Sequence, residues 1–245
     1  MPNRVVSEPP VAASDAVREL VPPLPDSELA LDVVRLESGR RLLLADAGSD
    51  RDLLLYCFEG SGTLTVEESS NALTVDAAAL LQAGESAALE AGQEGLAVLR
   101  ATAGPDVDRH APLGGREIVV ELREASSDLA TGARSFEILL GPHSGSTRAT
   151  LFVGHLPPGR APWHYHLYDE IVWIVEGAGR LHVGDTTESL SRGSAFRLRP
   201  REVHVVENAS DDDELALVGI FTPAGSPSAA YLTAEVAAEY RFSGE

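Results

Sequence analysis

The chain repeats itself at long range, and that limits its fold more than any other feature. Phe58 to Val66 reads FEGSGTLTV and Val175 to Val183 reads VEGAGRLHV, so Glu59, Gly60, Gly62, Leu64 and Val66 recur as Glu176, Gly177, Gly179, Leu181 and Val183. Each pair is 117 residues apart (176 − 59 = 117). The same register, read on without a gap, sets Leu73 against Leu190, Leu81 against Leu198 and Glu85 against Glu202. Agreement by chance among common glycines and leucines is the alternative; otherwise one structural unit has been made twice. A chain of 245 residues holds two such units, each large enough to bury a core.

The pattern inside the units is that of strands. From residue 30 onward, short apolar or alternating runs such as LALDVVRL, LLLYCF, EIVWIV and ELALVGIF are separated by clusters of Gly, Pro, Ser and Asp. This predicts an all-β barrel or sandwich in each half. Pro9, Pro10, Pro22, Pro23 and Pro25 predict an extended N-terminal arm over residues 1–29. The two units then span 30–108 and 135–225, joined by a connection over 109–134, with a closing segment at 226–245. TAEVAAEYRF, with Thr233 as N-cap, is the one helix expected there.

Charge and composition exclude several classes of function. A formal charge of −19 repels phosphate backbones and anionic headgroups, so nucleic acid and membrane partners are not expected, and a small molecule or another protein remains. No run of about 18 apolar residues and no apolar leader is present, which places the chain in the cytoplasm. All 19 basic residues are arginine, and without lysine there is no Schiff-base chemistry and no Walker lysine. Cys57 stands alone, which removes disulfide frameworks and thiolate metal sites and reads as a small core residue.

The second copy carries a set of candidate ligands. His164 and His166 are two apart, so a strand aims both imidazoles to one face. Glu170 follows after a short turn, and His204 lies 34 residues beyond it, after LRPREVH. Three neutral imidazoles and a carboxylate suit one divalent first-row metal, whether Fe, Mn, Ni, Zn or Cu, with positions left open. Asn208 reads as a turn residue and His155 as a surface or core imidazole. Trp163, Tyr165 and Trp173 have the opposite strand parity and are expected to pack between sheets or domains. Arg197, Arg199 and Arg201 read as a solvated rim, with anion binding as the alternative.

These residues resemble the two motifs of the cupin superfamily. Gly159, His164, His166, Glu170 and Gly177 correspond to the first motif, and Gly193, Pro200, His204 and Asn208 to the second, with Glu202 where the second motif carries a turn glycine. With the repeat included, the resemblance runs from about residue 30 to 225 and implies a bicupin, two tandem barrels of jelly-roll type with short helical segments. Applied at the ligand positions, the 117-residue offset sets Ala47, Ser49, Leu53 and Ala87 against His164, His166, Glu170 and His204. The first barrel is therefore expected to be metal-free and structural. The resemblance implies a metal-dependent enzyme acting on a small organic molecule, with dioxygenase-type oxidation first and Glu170 as the catalytic residue. The alternatives are a metal-dependent isomerase, decarboxylase or hydrolase, or a non-catalytic binding cupin, as a monomer or homodimer.

Overall fold

The computed structural model describes residues 4–7, 17–129 and 134–232. The expected helix from Thr233 lies outside the described residues, as do Pro9 and Pro10. In the first half, eight antiparallel strands form one curved sheet around the long pair Asp52–Val66 and Ala87–Ala103. In the second half the same path is divided between two sheets, one of seven strands centred on Asp169–Glu176 and Leu215–Thr222, the other of six centred on Ala178–Val183 and His204–Asn208.

Side-chain parity explains the long apolar runs. Leu53, Leu55 and Cys57 point into the first barrel, while Leu54, Tyr56 and Phe58 point toward the other half. In the second copy Val172 and Ile174 point inward, while Ile171 and Trp173 face the first half. A strand buried on both faces shows no polar alternation. Phe58 and Trp173 meet across the boundary with ring centres 4.8 Å apart. The repeated glycines mark a bend in each central strand: Gly60 and Gly177 have φ of +72° and +91°. A Cβ at Gly60 would lie 2.2 Å from the Gly95 carbonyl oxygen, and one at Gly177 2.8 Å from that of Glu214.

Strand register refines the repeat. Val66 faces Ala87 and Val183 faces His204, which keeps the offset at 117. Upstream, however, Ala45 faces Ala87 where His164 faces His204, so the offset there is 119 (164 − 45). Two extra residues in the turn before Asp52 cause the slip. Ala45 and Ala47, not Ala47 and Ser49, therefore stand where the second copy has His164 and His166.

The two halves exchange their leading segments. Val6–Ser7, from the arm, pairs with Ser194–Leu198 of the second barrel. Val119–Glu121, from the connection, pairs with Ala77–Leu81 of the first. Arginines reinforce both exchanges, with Arg4 bonded to Glu202 and Arg116 to Glu85. Those two glutamates are counterparts, and each also accepts from a backbone N–H of its own turn, Gln82 at 2.8 Å and Arg199 at 3.1 Å.

Candidate metal centre

The second barrel encloses a cavity of about 100 Å³, and His164, His166, Glu170 and His204 all face it. His164 and His166 begin and end the short strand His164–His166, held between His204–Asn208 on one side and Ala230–Leu232 on the other. Glu170, second in Asp169–Glu176, shares inward parity with Val172. His204 opens its strand directly opposite His164. All four are buried, at 2–8% exposure, so polar partners or a bound ion must compensate them.

The imidazoles are oriented for ligation. Each Nδ1 lies against a backbone carbonyl: His164 on Pro162 at 2.9 Å, His166 on Tyr168 at 2.9 Å and His204 on Glu202 at 2.8 Å. A carbonyl accepts only from N–H, so the proton sits on Nδ1 and the Nε2 lone pair is left for the cavity. The centre of the His204 ring is 4.5 Å from that of His164 and 4.9 Å from that of His166. With a metal–nitrogen bond of about 2.1 Å, rings converging near right angles on one ion have centres between about 4 and 5 Å apart. His166 Nε2 lies 2.9 Å from Glu170 Oε2, yet this buried nitrogen has no hydrogen-bond partner. Among the described residues no group of three or more His, Cys, Asp or Glu is drawn in to full coordination distance; the donors share a cavity and an orientation. The lone-pair geometry and the orphaned nitrogen fit a divalent cation.

Electrostatics favour the same reading at two of the three imidazoles. Burial pushes His164 down to about 4, and the Arg134 charge adds to the effect. His204 is held well below its ordinary value by burial, then by its neighbours His164 and His166. Burial would lower His166 as well, but the nearby Glu170 carboxylate outweighs it and raises this one imidazole. His164 and His204 are thus held neutral, as ligands of a cation must be, whereas His166 is held toward its protonated form, so a cation bound there must displace that proton.

The first barrel presents no such set among its described residues. Its counterparts are Ala45, Ala47, Leu53 and Ala87, and the interior is packed with apolar side chains. Where the second barrel has Gly219 facing Phe152, the first has Arg100 facing Asp32, a pair at 2.6 Å. A Cβ at Gly219 would lie 2.3 Å from the Phe152 ring and 2.8 Å from Glu170 Oε1, so the glycine makes room for both.

The other singled-out residues lie elsewhere. Asn208 staples a turn, donating to the carbonyls of Leu156 and Asp213, both at 2.8 Å. His155 lies between Glu137 and Glu214, away from the cavity. Trp163 stands edge-on to His182, and Tyr165 stacks on Tyr231. Arg197 and Arg199 are neither a solvated rim nor an anion site: both clasp buried Asp169, at 2.5 and 3.1 Å, and Arg197 also donates to the carbonyls of Pro22 and Leu29 in the arm. The turn glycine's conformation falls on Arg201, with φ of +66°, and not on Glu202.

Cavity residues that were not anticipated include Arg134, Tyr168 and Phe152. Arg134 sits in the mouth just before Ser135–Leu140. Tyr168 stacks on His166, ring centres 4.0 Å apart, and Phe152 also lines the cavity. A single arginine at the end of a connection carries no sequence signal. Tyr168 was legible only as a neighbour of the motif.

Comparison with known proteins agrees with this fold. Residues 152–221 match the family model described as a cupin domain. Among solved structures the chain is similar to oxalate decarboxylase of Bacillus subtilis (TM-score 0.76, 16% identity, covering 98% of this chain and 81% of that one). It is also similar to the Lactobacillus farciminis oxalate decarboxylase in its formate complex (TM-score 0.77, 13% identity, 98% and 91%). Mn(II) centres are described for the Bacillus subtilis enzyme in a further match (TM-score 0.71, 16% identity, 92% and 77%). No curated protein sequence matches the chain.

Proposed function

We propose a function from one premise: the chain is a bicupin, two cupin barrels in tandem, and among its described residues the second barrel alone presents a metal-donor set. The reading is a metal-dependent enzyme that acts without oxygen on a small carboxylic acid, with decarboxylation as the reaction. The observation that carries it is the convergence of three Nε2 lone pairs and the Glu170 carboxylate on one buried cavity. Oxygenation stands first by resemblance alone. The structural similarity to oxalate decarboxylases, and the arginine in the cavity mouth, favour decarboxylation instead.

His164, His166, His204 and Glu170 would hold one divalent transition metal, which supplies Lewis-acid polarisation of a bound oxygen. The protein supplies the rest. Arg134 offsets the negative charge of an entering acid. The apolar wall, including Phe136, Phe152 and Leu217, excludes water from the bond that breaks. When the carbon–carbon bond to the carboxylate cleaves, its electron pair stays on the remaining carbon, which must then receive a proton. Glu170 is the one aspartate or glutamate on the cavity wall among the described residues and stands where a proton can be held at Oε1.

The test is carbon dioxide release from a panel of small carboxylic acids by metal-loaded protein, with and without oxygen. Metal-dependent release that continues under strict anaerobiosis is expected. Oxygen uptake in proportion to turnover, with no anaerobic release, would overturn the reading in favour of a dioxygenase.

A further inference from the structure

One imidazole in the cavity is held in a way the other two are not. Each histidine sets its Nδ1–H against a backbone carbonyl, and a single hydrogen bond fixes a point on the ring without fixing its plane. His166 is also stacked. The Tyr168 ring lies 4.0 Å from it between centres with the planes 8° apart, and fully buried Phe221 stacks on Tyr168 at 4.0 Å and 24°. Two rings cannot share one face at that distance, so Tyr168 is the middle ring of three. Its hydroxyl donates to the Pro227 carbonyl at 3.3 Å, which fixes the far end of the ring as the backbone fixes the near one. The first barrel, with no donor set among its described residues, has no such stack. Strand register places Thr102 opposite Leu53 where Phe221 faces Glu170, and Arg51 precedes Asp52 where Tyr168 precedes Asp169. The stack accounts for an unmade bond. His166 Nε2 lies 2.9 Å from Glu170 Oε2, where a small turn of the imidazole would align a hydrogen bond, and none is made. Turning the imidazole out of its plane would carry it off the flat face of Tyr168, and Phe221 leaves Tyr168 no room to follow.

Resting on the metal-site reading above, we propose that Tyr168, backed by Phe221, is a positioning residue of the metal centre. Its ring face holds His166 with Nε2 directed into the cavity and out of line with Glu170, so that the nitrogen stays available to a cation. The same face favours the loaded state. An imidazole bound to a cation through Nε2 loses electron density, and a positively polarised ring is held more firmly on the π-face of a phenol than a neutral one. The hydroxyl proton is engaged with Pro227, so the ring and not the O–H does the positioning.

The experiment measures metal affinity and the geometry of the bound ion, not turnover. Co(II), whose visible absorption changes with its ligand geometry, is titrated into the metal-free wild-type chain and into Tyr168→Phe, Tyr168→Leu and Phe221→Leu variants, each first checked by urea unfolding. Tyr168→Phe keeps the flat ring, loses only the bond to Pro227, and should bind Co(II) within about threefold of wild type, with the same absorption bands. Tyr168→Leu leaves the backbone carbonyl in place but removes the ring face, and should weaken Co(II) about tenfold or more, with shifted bands. Phe221→Leu loosens Tyr168 from behind and should weaken Co(II) about threefold or more; it decides the question if Tyr168→Leu does not fold. Wild-type affinity and bands in Tyr168→Leu overturn the inference. So does a loss in Tyr168→Phe as large as that in Tyr168→Leu, which would assign the role to the hydroxyl. A wild-type chain that binds no Co(II) would remove the metal site and this inference together. The expected affinities without carbon dioxide release from any acid would remove the proposed reaction and keep Tyr168 in its role. Carbon dioxide release by a protein whose Co(II) affinity is indifferent to Tyr168 would do the reverse.

Discussion

Gly219→Ala tests whether the space around Glu170 is set by one missing side chain. The added methyl would lie 2.3 Å from two carbons of the Phe152 ring and 2.8 Å from Glu170 Oε1. Carbon contacts are comfortable at about 3.5–4.0 Å, so the ring must retreat by roughly 1 Å or more. It packs edge-on against Phe136 and Phe221, with ring centres 6.2 and 6.0 Å away. The space open to it is the cavity itself. Overpacking costs about 1–3 kcal/mol, and relief into a cavity keeps the loss near the lower end, about 1–2 kcal/mol. The effect on the site should be larger, because displacing a reacting group by about 1 Å costs on the order of a hundredfold in rate. Urea unfolding reads the first quantity; elemental analysis and carbon dioxide release read the second. A variant that unfolds about 1–2 kcal/mol earlier, with several-fold less metal per chain and turnover down about a hundredfold, is expected. Unchanged metal content and turnover would refute the reasoning, since the ring and the carboxylate leave the methyl nowhere else to go.

Other substitutions separate site from scaffold. His166→Ala, which removes the orphaned buried nitrogen, should take the protein from about one metal per chain to almost none by elemental analysis; retained stoichiometry would remove His166 from the ligand set. Trp173→Ala opens the interface between the halves at a side chain only 1% exposed and should cost about 3–5 kcal/mol in urea unfolding. Trp173→Phe should cost much less, because the buried indole N–H has no hydrogen-bond partner to lose; equal losses for the two would contradict this. Arg201→Gly relieves a left-handed backbone and should raise stability by up to about 1 kcal/mol, read as a higher urea midpoint.

The parts of this molecule legible in sequence were those governed by short-range periodicity. His164 and His166 share a face because strand side chains alternate, and Trp173 points to the interface by the same rule. Glu170 and Leu53 are counterparts because no insertion separates their strands. Two extra residues in one turn were enough to shift the expected counterparts of His164 and His166, although the replacements are as unable to bind metal. Arg197 and Arg199 could not be placed because their partner, Asp169, and their anchors in the arm are determined by packing between halves. Nor did sequence announce the exchanged strands. Val6–Ser7 spans two residues and Val119–Glu121 three, too short to show a period, and each pairs with a strand outside its own unit.

That exchange also orders events in time. Val6 is synthesised long before Ala195, so its place in the second barrel does not exist when it is made. Val120, in contrast, finds Ala78 already available, so the first sheet can close at its far edge while the second barrel is still being translated. Val6 and Ser7 therefore settle after Val119–Glu121, although they precede it in the chain, and they do so on the barrel that carries the candidate metal ligands.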